Sequence, residues 1–327
     1  MKILITGGAG FIGSHLTDRL LRDGHGVVIL DNLSTGSLDN LKHLEGNSKF
    51  EMVIGSVRDV SLVQEMVERC DAVIHLAAAV GVKLILEKPS LSIHTNVNGT
   101  ENVLHAAATG NKLVIIASTS EVYGKTEKTP FDENDDLVLG STANLRWSYA
   151  VAKALDECLA LSYSYEKKIS VIVVRLFNTT GPRQTGYYGM VLPNFVNQAL
   201  RGDPITVYGT GDQSRCFGHV ADVVESLVRL LNSPNAVGEV FNVGNDVEIT
   251  IEGLAQLIKE KTGSASEIVK LPYKDVYGFG FEDMARRVPN VSKLEKFIGY
   301  RPHTPLDKII DDVIAEQKAA LADTARG

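Results

Sequence analysis

Tyr149 and Lys153 lie four residues apart in a segment whose apolar residues recur with helical spacing. Residues at positions i and i+4 share one face of a helix, so the phenol and the ammonium group are neighbours there. Lowering the pKa of a tyrosine from about 10 towards neutrality requires about 4 kcal/mol of preferential phenolate stabilisation, part of which a lysine can supply. Tyr149 is therefore a candidate general base. Such pairs are common in helices, as Tyr163 with Lys167 shows, so the assignment depends on a third group.

Hydroxyl side chains and one carboxylate follow the apolar run Lys112–Ala117, in the order Ser118-Thr119-Ser120-Glu121. The carboxyl edge of a parallel sheet is where doubly wound folds bind their ligands. A hydroxyl group at this edge can hold a substrate oxygen while Tyr149 removes its proton. The alternative is a Ser/Thr-rich turn or helix cap without a chemical role.

A glycine-rich turn, Gly7-Gly8-Ala9-Gly10-Phe11-Ile12-Gly13, follows the first apolar run and opens an amphipathic segment. Glycines allow a tight turn and close approach to a pyrophosphate, and the N-terminus of the following helix offers N–H groups to it. The spacing is the G-x-x-G-x-x-G variant found in short-chain dehydrogenases. We therefore expect Gly7, Gly10, Phe11, Ile12 and Gly13 to bind a dinucleotide.

Asp31 and Asn32 end the second apolar run, 18 residues after Gly13. A carboxylate here can accept hydrogen bonds from ribose hydroxyls and would repel a 2′-phosphate, which predicts NAD rather than NADP. In isolation Asp31 would more readily be interpreted as a turn residue or a helix cap. Its register with the glycine motif favours the contact with ribose.

Two further strand ends complete the predicted cofactor site. The loop after the third run contains Ser56 and Val57 and is expected to wrap the adenine. The fourth run ends in small and apolar residues that let a cofactor lie against the backbone, Leu76, Ala77 and Ala78. His75, just before them, is predicted to be packed and hydrogen-bonded rather than catalytic.

The elements that carry these residues alternate between short β-branched runs and longer segments of helical periodicity. This alternation predicts an α/β fold with a doubly wound parallel Rossmann sheet and right-handed crossovers. Residues 1–177 are assigned to an NAD-binding domain and residues 178–327 to a smaller α/β substrate-binding lobe, from which Glu239–Val243 is expected to return to the sheet. A last helix is predicted from about Pro305 to Ala320. The six runs are Lys2–Thr6, Gly26–Asp31, Phe50–Ile54, Ala72–Leu76, Lys112–Ala117 and Ser170–Phe177.

Composition excludes several classes of protein. The net charge is −7 over 327 residues with interspersed signs, which argues against binding nucleic acid through a basic face. No apolar run reaches the roughly 18 residues that a membrane span requires, and the chain offers no signal-peptide pattern. Cys70, Cys158 and Cys216 are far apart without C-x-x-C spacing, so neither a zinc site nor disulfides are expected. We predict a soluble cytoplasmic protein without a metal.

The motifs together resemble the extended short-chain dehydrogenases, specifically the NAD-dependent epimerase/dehydratase family that acts on nucleotide-sugars. The resemblance covers nearly the whole chain. It is carried by the glycine turn, by Ser118–Gly124, by Tyr149-x-x-x-Lys153, and by the later segments Arg175–Asn178, Gly181-Pro182-Arg183, Ile205–Gly209, Gly211–Arg215 and Arg286–Pro289. The resemblance implies that Thr119 holds the sugar O4 oxygen, and that Lys153 and the nicotinamide cation assist Tyr149.

The same resemblance implies a UDP-sugar site and a homodimer. Asn178, Arg215 and Arg287 are expected to hold the pyrophosphate, and Tyr208 to stack on the base. The remaining residues assigned to the substrate are Lys83, Ser120, Arg183 and Val191. Segments 91–109 and 149–165 resemble the helices through which this family forms a four-helix dimer interface.

Departures from the family pattern bear on the reaction. Ser56 replaces an aspartate that contacts adenine in many members, and Ser120 replaces the aspartic acid of sugar 4,6-dehydratases, which disfavours dehydration. Glu121 and Arg287 match residues implicated in UDP-glucuronate decarboxylases, whereas Ala79-Val80-Gly81-Val82-Lys83 resembles the loop of 4-epimerases. We expect UDP-hexose 4-epimerisation, with UDP-glucuronate decarboxylation as the alternative. A non-catalytic NAD-binding sensor is a third possibility, and the presence of both Tyr149 and Lys153 disfavours it.

Overall fold

The computed structural model describes residues 1–186, 190–277 and 282–324. Its centre is a seven-stranded parallel sheet with strand order β11-β6-β5-β4-β1-β2-β3, accompanied by three two-stranded pairs, β10-β7, β12-β9 and β13-β8. The strands are β1 Lys2–Thr6, β2 Gly26–Asp31, β3 Phe50–Ile54, β4 Ala72–His75, β5 Leu113–Thr119, β6 Val171–Leu176, β7 Thr179–Thr180, β8 Ile205–Tyr208, β9 Ser214–Cys216, β10 Gly218–His219, β11 Val240–Val243, β12 Glu248–Thr250 and β13 Ile268–Leu271.

Helices follow most strands, as the periodicity predicts. They are α1 Phe11–Arg22, α2 Val60–Glu68, α3 Val82–Glu87, α4 Pro89–Gly110, α5 Ser148–Lys167, α6 Val191–Arg201, α7 Val220–Leu231, α8 Ile251–Thr262, α9 Tyr273–Tyr277, α10 Ser292–Ile298 and α11 Leu306–Thr324. In the described part of the chain, none of these helices is long and apolar enough to cross a lipid bilayer.

The prediction of a doubly wound Rossmann sheet is confirmed. All six apolar runs form strands, and the last strand of the sheet, β11, pairs in parallel with β6 as expected for a returning segment. The strand order reverses between β1 and β4, which is the switch point where such sheets bind ligands outside their carboxyl ends. The glycine turn and the end of β4 meet at this point.

Separate hydrophobic cores underlie the sheet and the C-terminal part. One face of the sheet packs on α1 and α7 through residues such as Leu16 and Leu227, and the other on α2, α4 and α5 through residues such as Val103 and Ala160. A third core joins α6, α8 and α11, with Phe195 among its members. The C-terminal lobe therefore buries its own apolar surface, while α7 and β11 belong to the sheet layers.

A buried ion pair fixes α5 against the middle of the sheet. Nη2 of Arg175 on β6 is 2.7 Å from Oε2 of Glu157 on α5, and both side chains are buried. The hydroxyl of Ser118 on β5 donates to the same carboxylate. The Arg175 guanidinium also lies 4.8 Å from the ring centroid of Tyr123. These contacts hold α5 and the end of β5 in one register, which positions Tyr149 relative to Thr119.

Candidate active site

A cavity of about 810 Å³ runs along the carboxyl ends of the central strands. At one end its walls are the glycine turn and the ends of β2 and β4. At the other end they are the loops after β5 and β6 together with residues of the C-terminal lobe, including Val191, Tyr208 and Arg287. The cavity is therefore long enough to join the predicted cofactor and sugar sites.

The glycine turn leaves no room for side chains where it meets β4. Gly7 has a φ of +73°, and a Cβ atom there would lie 2.8 Å from the amide nitrogen of Ala77. A Cβ on Gly13 would overlap the carbonyl oxygen of Gly7. The turn is thus a bare-backbone cradle at the start of α1, and it fits a dinucleotide pyrophosphate. Gly7, Gly10, Phe11, Ile12 and Gly13 all line the cavity.

Asp31 stabilises a turn and also lines the cavity, so it fits both the turn residue and the ribose contact considered from the sequence. Its Oδ2 accepts a hydrogen bond from the Ala9 amide at 2.9 Å, and its Oδ1 accepts one from Leu33 at 2.8 Å. Burial raises the pKa of Asp31, and these two amides oppose that effect. The carboxylate therefore ties the glycine turn to the loop after β2, and it also lines the cavity beside Asn32, where a ribose can reach it.

The remaining predicted cofactor residues divide into two groups. Val57, Leu76, Ala77 and Ala78 line the cavity. Ser56 does not appear in the described cavity wall, and its hydroxyl accepts a hydrogen bond from the Arg58 amide instead. Gly55 and Val57, the neighbours of Ser56, line the cavity, whereas the Ser56 hydroxyl stabilises the turn after β3.

His75 is packed in the interior, as predicted. Nδ1 lies 2.7 Å from the hydroxyl of Thr6, and Nε2 lies 3.2 Å from the hydroxyl of Thr100. Burial lowers the pKa of His75 to about 3, and the nearby charge of Lys153 adds to this effect. The imidazole is therefore neutral at physiological pH and joins β1, β4 and α4.

Thr119 and Tyr149 meet at the centre of the cavity wall. Both residues line the cavity, and the Thr119 hydroxyl is close enough to the phenol of Tyr149 to lower its pKa. Burial raises the pKa of Tyr149, and the carboxylates of Glu121 and Asp156 raise it further, while Thr119 and Arg146 act in the opposite direction. Lys153 lies behind this wall on the same face of α5 and is almost fully buried.

Glu121 is held between two guanidinium groups beside Tyr149. Its carboxylate oxygens lie 2.6 Å from Nη2 of Arg146 and 2.7 Å from Nη2 of Arg287. Burial alone would raise the pKa of Glu121, but Arg287 and Arg146 outweigh it and lower the pKa to about 2. Glu121 is therefore ionised at any physiological pH and unsuited to act as a general acid there.

Asp283 extends this cluster towards Arg215. Nη2 of Arg215 lies 2.8 Å from Asp283, while Arg146 and Arg287 lie 3.8 and 3.9 Å from the same carboxylate. Arg287 also donates to the amide oxygen of Asn178 at 3.3 Å. Three arginines thus face two carboxylates on the cavity wall, so the cluster carries a net positive charge that can take up an anionic substrate.

The other residues assigned to the substrate do not all reach the cavity. Ser120, Asn178, Val191, Tyr208, Arg215 and Arg287 line it. Arg183 has a left-handed φ of +66°, and its guanidinium pairs with Asp18 on α1 at 2.8 Å, outside the described cavity wall. In this structure the Arg183 side chain thus links α1 to the loop after β7, and its assignment to the substrate stays a prediction. The Lys83 side chain lies outside the described residues.

Arg146 and Asp283 line the cavity although neither is among the site residues assigned from the sequence. Arg146 stands three residues before Tyr149, a spacing that places both on one side of the turn into α5, and this signal was available in the sequence. Asp283 precedes Arg287 by one helical turn, but the described backbone there is irregular. Its place among the arginines follows only from the tertiary fold.

A family model described as GDP-mannose 4,6 dehydratase matches residues 4–313. The chain belongs to this family of NAD-dependent epimerases and dehydratases. The predicted resemblance is thereby confirmed. Among curated proteins, a UDP-N-acetyl-alpha-D-glucosaminuronate decarboxylase from Bacillus cytotoxicus is 43% identical over 96% of both chains. UDP-glucuronic acid decarboxylase 1 from Xenopus tropicalis is 38% identical over 96% of this chain and 71% of its own length.

Solved structures of related enzymes share the whole fold. UDP-glucuronic acid 4-epimerase from Bacillus cereus, in complex with UDP-glucuronic acid and NAD, is 27% identical with a TM-score of 0.88, covering 98% of this chain and 100% of the other. A dTDP-glucose 4,6-dehydratase from Streptomyces venezuelae with NAD bound is 28% identical with a TM-score of 0.88, covering 98% and 97%. These NAD complexes confirm the predicted cofactor of the family.

The prediction of UDP-hexose 4-epimerisation is wrong. Curated relatives that match 96 to 100% of this chain, at 34 to 43% identity, include decarboxylases of UDP-linked uronic acids. The prediction relied on the resemblance of the loop Ala79–Lys83 to the corresponding loop of 4-epimerases. Glu121 with its two arginines lies beside Tyr149 instead. This cluster favours the decarboxylase alternative.

Proposed function

We propose that the chain is an NAD-dependent decarboxylase of a UDP-linked uronic acid, either UDP-glucuronate or its 2-acetamido analogue. The observation that carries the proposal is the arrangement of Glu121 between Arg146 and Arg287, next to Thr119 and Tyr149. The likeness to decarboxylases along 96% of the chain supports it independently. The net positive charge of the cluster suits a substrate that carries both a pyrophosphate and a carboxylate.

The substrate would lie across the two halves of the cavity. Arg215 and Arg287 are suited to the pyrophosphate because a planar guanidinium group bonds two phosphate oxygens at once. Tyr208 offers a ring face for the uracil base. Residues 178–327 would thus supply most of the nucleotide-sugar site, and residues 1–177 would supply the NAD site and the catalytic groups.

Tyr149 would begin the reaction by removing the proton of the sugar O4 hydroxyl, while Thr119 holds the same oxygen. Bound NAD would accept a hydride from C4 and return it at the end of the cycle. The resulting 4-ketone makes the C5 carboxylate a β-keto acid, so the bond between C5 and the carboxylate carbon breaks and CO2 leaves. The electron pair of that bond passes into the ketone as an enolate, which takes a proton at C5.

The hydroxyl groups of Thr119 and Tyr149 would act again as CO2 leaves. They lie where negative charge develops on O4, and fixed hydrogen-bond donors at a developing oxyanion stabilise the transition state. Glu121 would hold Arg146 and Arg287 in place and accept hydrogen bonds from sugar hydroxyls. Because Glu121 stays ionised, it does not compete with Tyr149 for the proton.

The decisive experiment is an assay on purified protein with three substrates. UDP-glucuronate and UDP-N-acetylglucosaminuronate are incubated separately with NAD, and UDP-glucose serves as a substrate without a carboxylate. Mass spectrometry should show loss of CO2 from at least one uronate, and comparing the two identifies the preferred C2 substituent. Interconversion of UDP-glucose with UDP-galactose, without CO2 loss from either uronate, would overturn the proposal.

We also propose a homodimer that assembles through α4 and α5. The outer face of α5 carries Val151 and Leu155 at 39% and 46% exposure, and the neighbouring α4 carries Leu91 at 40%. Val151 and Leu155 are four residues apart and so form one stripe, turned away from the face that holds Tyr149. Exposed apolar side chains on two adjacent helices suit a helical interface with a second copy.

A further inference from the structure

The ammonium group of Lys153 has its buried ion-pair partner on the same helix. Nζ of Lys153 lies 2.6 Å from Oδ2 of Asp156, and the two side chains are 2% and 0% exposed. Among the described residues, no hydrogen-bond partner is found for the second oxygen of Asp156, Oδ1. Surface ion pairs contribute little, but charges this deeply buried act strongly on each other and on their neighbours.

Helical spacing places Asp156 on the catalytic face of α5. Lys153 precedes it by three residues and Tyr149 by seven, and these intervals correspond to about one and two helical turns. The Asp156 carboxylate is also among the groups that raise the pKa of Tyr149. Asp156 therefore acts on both members of the Tyr–Lys pair without lining the cavity.

The titratable groups on the elements around this pair are neutral, paired with other residues or exposed. On β4, His75 is neutral because burial lowers its pKa to about 3. Glu157 on α5 is bound to Arg175 on β6, with Ser118 of β5 donating to it. On the turns before and beside α5, Arg146 and Glu121 pair with each other. On α4, Thr100 faces His75, while the ionisable His94, Glu101 and His105 are exposed.

We propose that Asp156 is a positioning residue, a built-in counter-ion of Lys153 that makes the site favour the oxidised, positively charged nicotinamide over the reduced one. The proposal rests on the NAD-dependent function proposed above. The Lys153–Asp156 pair is electrically neutral as a unit, so Lys153 does not repel the nicotinamide cation as a lone buried ammonium group would. Phenolate formation on Tyr149 then depends on the cation of the oxidised cofactor.

This arrangement suits a reaction that oxidises the sugar and later reduces it. The last step regenerates the oxidised cofactor, so a site that favours the oxidised form favours completion of the cycle. Without Asp156, the unopposed Lys153 charge would stabilise the reduced form relative to the oxidised one. The enzyme would then tend to stop after CO2 loss with reduced cofactor bound.

The test is Asp156→Asn, which keeps the size of the side chain and removes its charge. NAD⁺ and NADH are titrated separately by calorimetry, without any sugar present. We expect the ratio of the NAD⁺ to the NADH dissociation constant to rise about tenfold, and the acidic limb of the kcat profile to move about one pH unit lower. A folded Asp156→Asn protein with an unchanged ratio would overturn the proposal.

Two further variants separate this role from a purely structural one. Glu157→Gln removes the adjacent buried carboxylate, which pairs with Arg175, and should lower stability while leaving the affinity ratio unchanged. Asp156→Glu keeps the charge, so its ratio should stay within about twofold of the wild-type value. A tenfold change in Asp156→Glu would overturn the proposal even if Asp156→Asn does not fold. Because the calorimetric titrations use no sugar, the ratio of dissociation constants can be interpreted even if the decarboxylase assay fails.

Discussion

Tyr149 lines the cavity, and the nearby hydroxyl group of Thr119 lowers its pKa. Tyr149→Phe keeps the buried ring and removes the proton acceptor. NAD should therefore still bind, while turnover of the uronate falls by about two to four orders of magnitude, the usual loss for a general base. Tyr163→Phe, on the same helix but away from the cavity, is the matched control and should retain its rate. Normal turnover by Tyr149→Phe would contradict the assignment of the base.

A Glu121 variant can distinguish the oxidation of the sugar from the later loss of CO2. Glu121→Gln should leave transient NADH formation measurable and reduce CO2 release by about 10²-fold, since Arg146 and Arg287 lose the anion that positions them. Stopped-flow absorbance and mass spectrometry measure the two steps. Glu51→Gln, in a surface pair with Arg69, is the control for loss of a carboxylate. Equal loss of both steps would contradict a role for Glu121 after oxidation.

Ionisation of Glu121 should also make the free energy of unfolding depend on pH. The folded-state pKa of about 2 lies below the usual 4.5, so the stabilisation is complete above about pH 4.5 and disappears as the pH falls through 2. Breaking such a buried pair costs about 3–5 kcal/mol. Denaturant unfolding should therefore show a large difference between wild type and Glu121→Gln at neutral pH, which shrinks between pH 4.5 and 2.

At the scale of elements, the strands were predictable and several side-chain partners were not. β-branched runs bounded by turns define β1 to β6 because a buried parallel strand needs a continuous apolar sequence. The strand β5 extends through Thr119, two residues past the apolar run, since its ladder with β6 continues to Leu176. The pairings of Glu121 with Arg287 and of Arg183 with Asp18 join distant segments, so no local pattern could indicate them.

We expect Asp31, at the end of β2, to determine the choice of dinucleotide. The amides of Ala9 and Leu33 hold the Asp31 carboxylate in place at the cavity wall, so it is preorganised to accept hydrogen bonds from a ribose. NAD should bind more tightly than NADP. Asp31→Asn should lower the ratio of the NADP to the NAD dissociation constant by about tenfold or more, because a charged hydrogen-bond acceptor contributes about 1.5–3 kcal/mol. Calorimetric titration with both dinucleotides measures the effect. Equal affinities in the wild-type protein would rule out this role of Asp31.

The whole molecule places its catalytic residues and its proposed dimer interface on opposite faces of one helix, α5. Leu155→Asp puts a charge into the exposed apolar stripe, and burying an unpaired charge at an interface is costly. The wild-type protein should have the mass of a dimer by light scattering at micromolar concentration, and Leu155→Asp should shift it to the monomer. Ile54→Asp, at a 63% exposed position on β3, is the control and should remain dimeric. A monomeric wild-type protein would exclude this assembly, and a dimer unaffected by Leu155→Asp would move the interface to another surface.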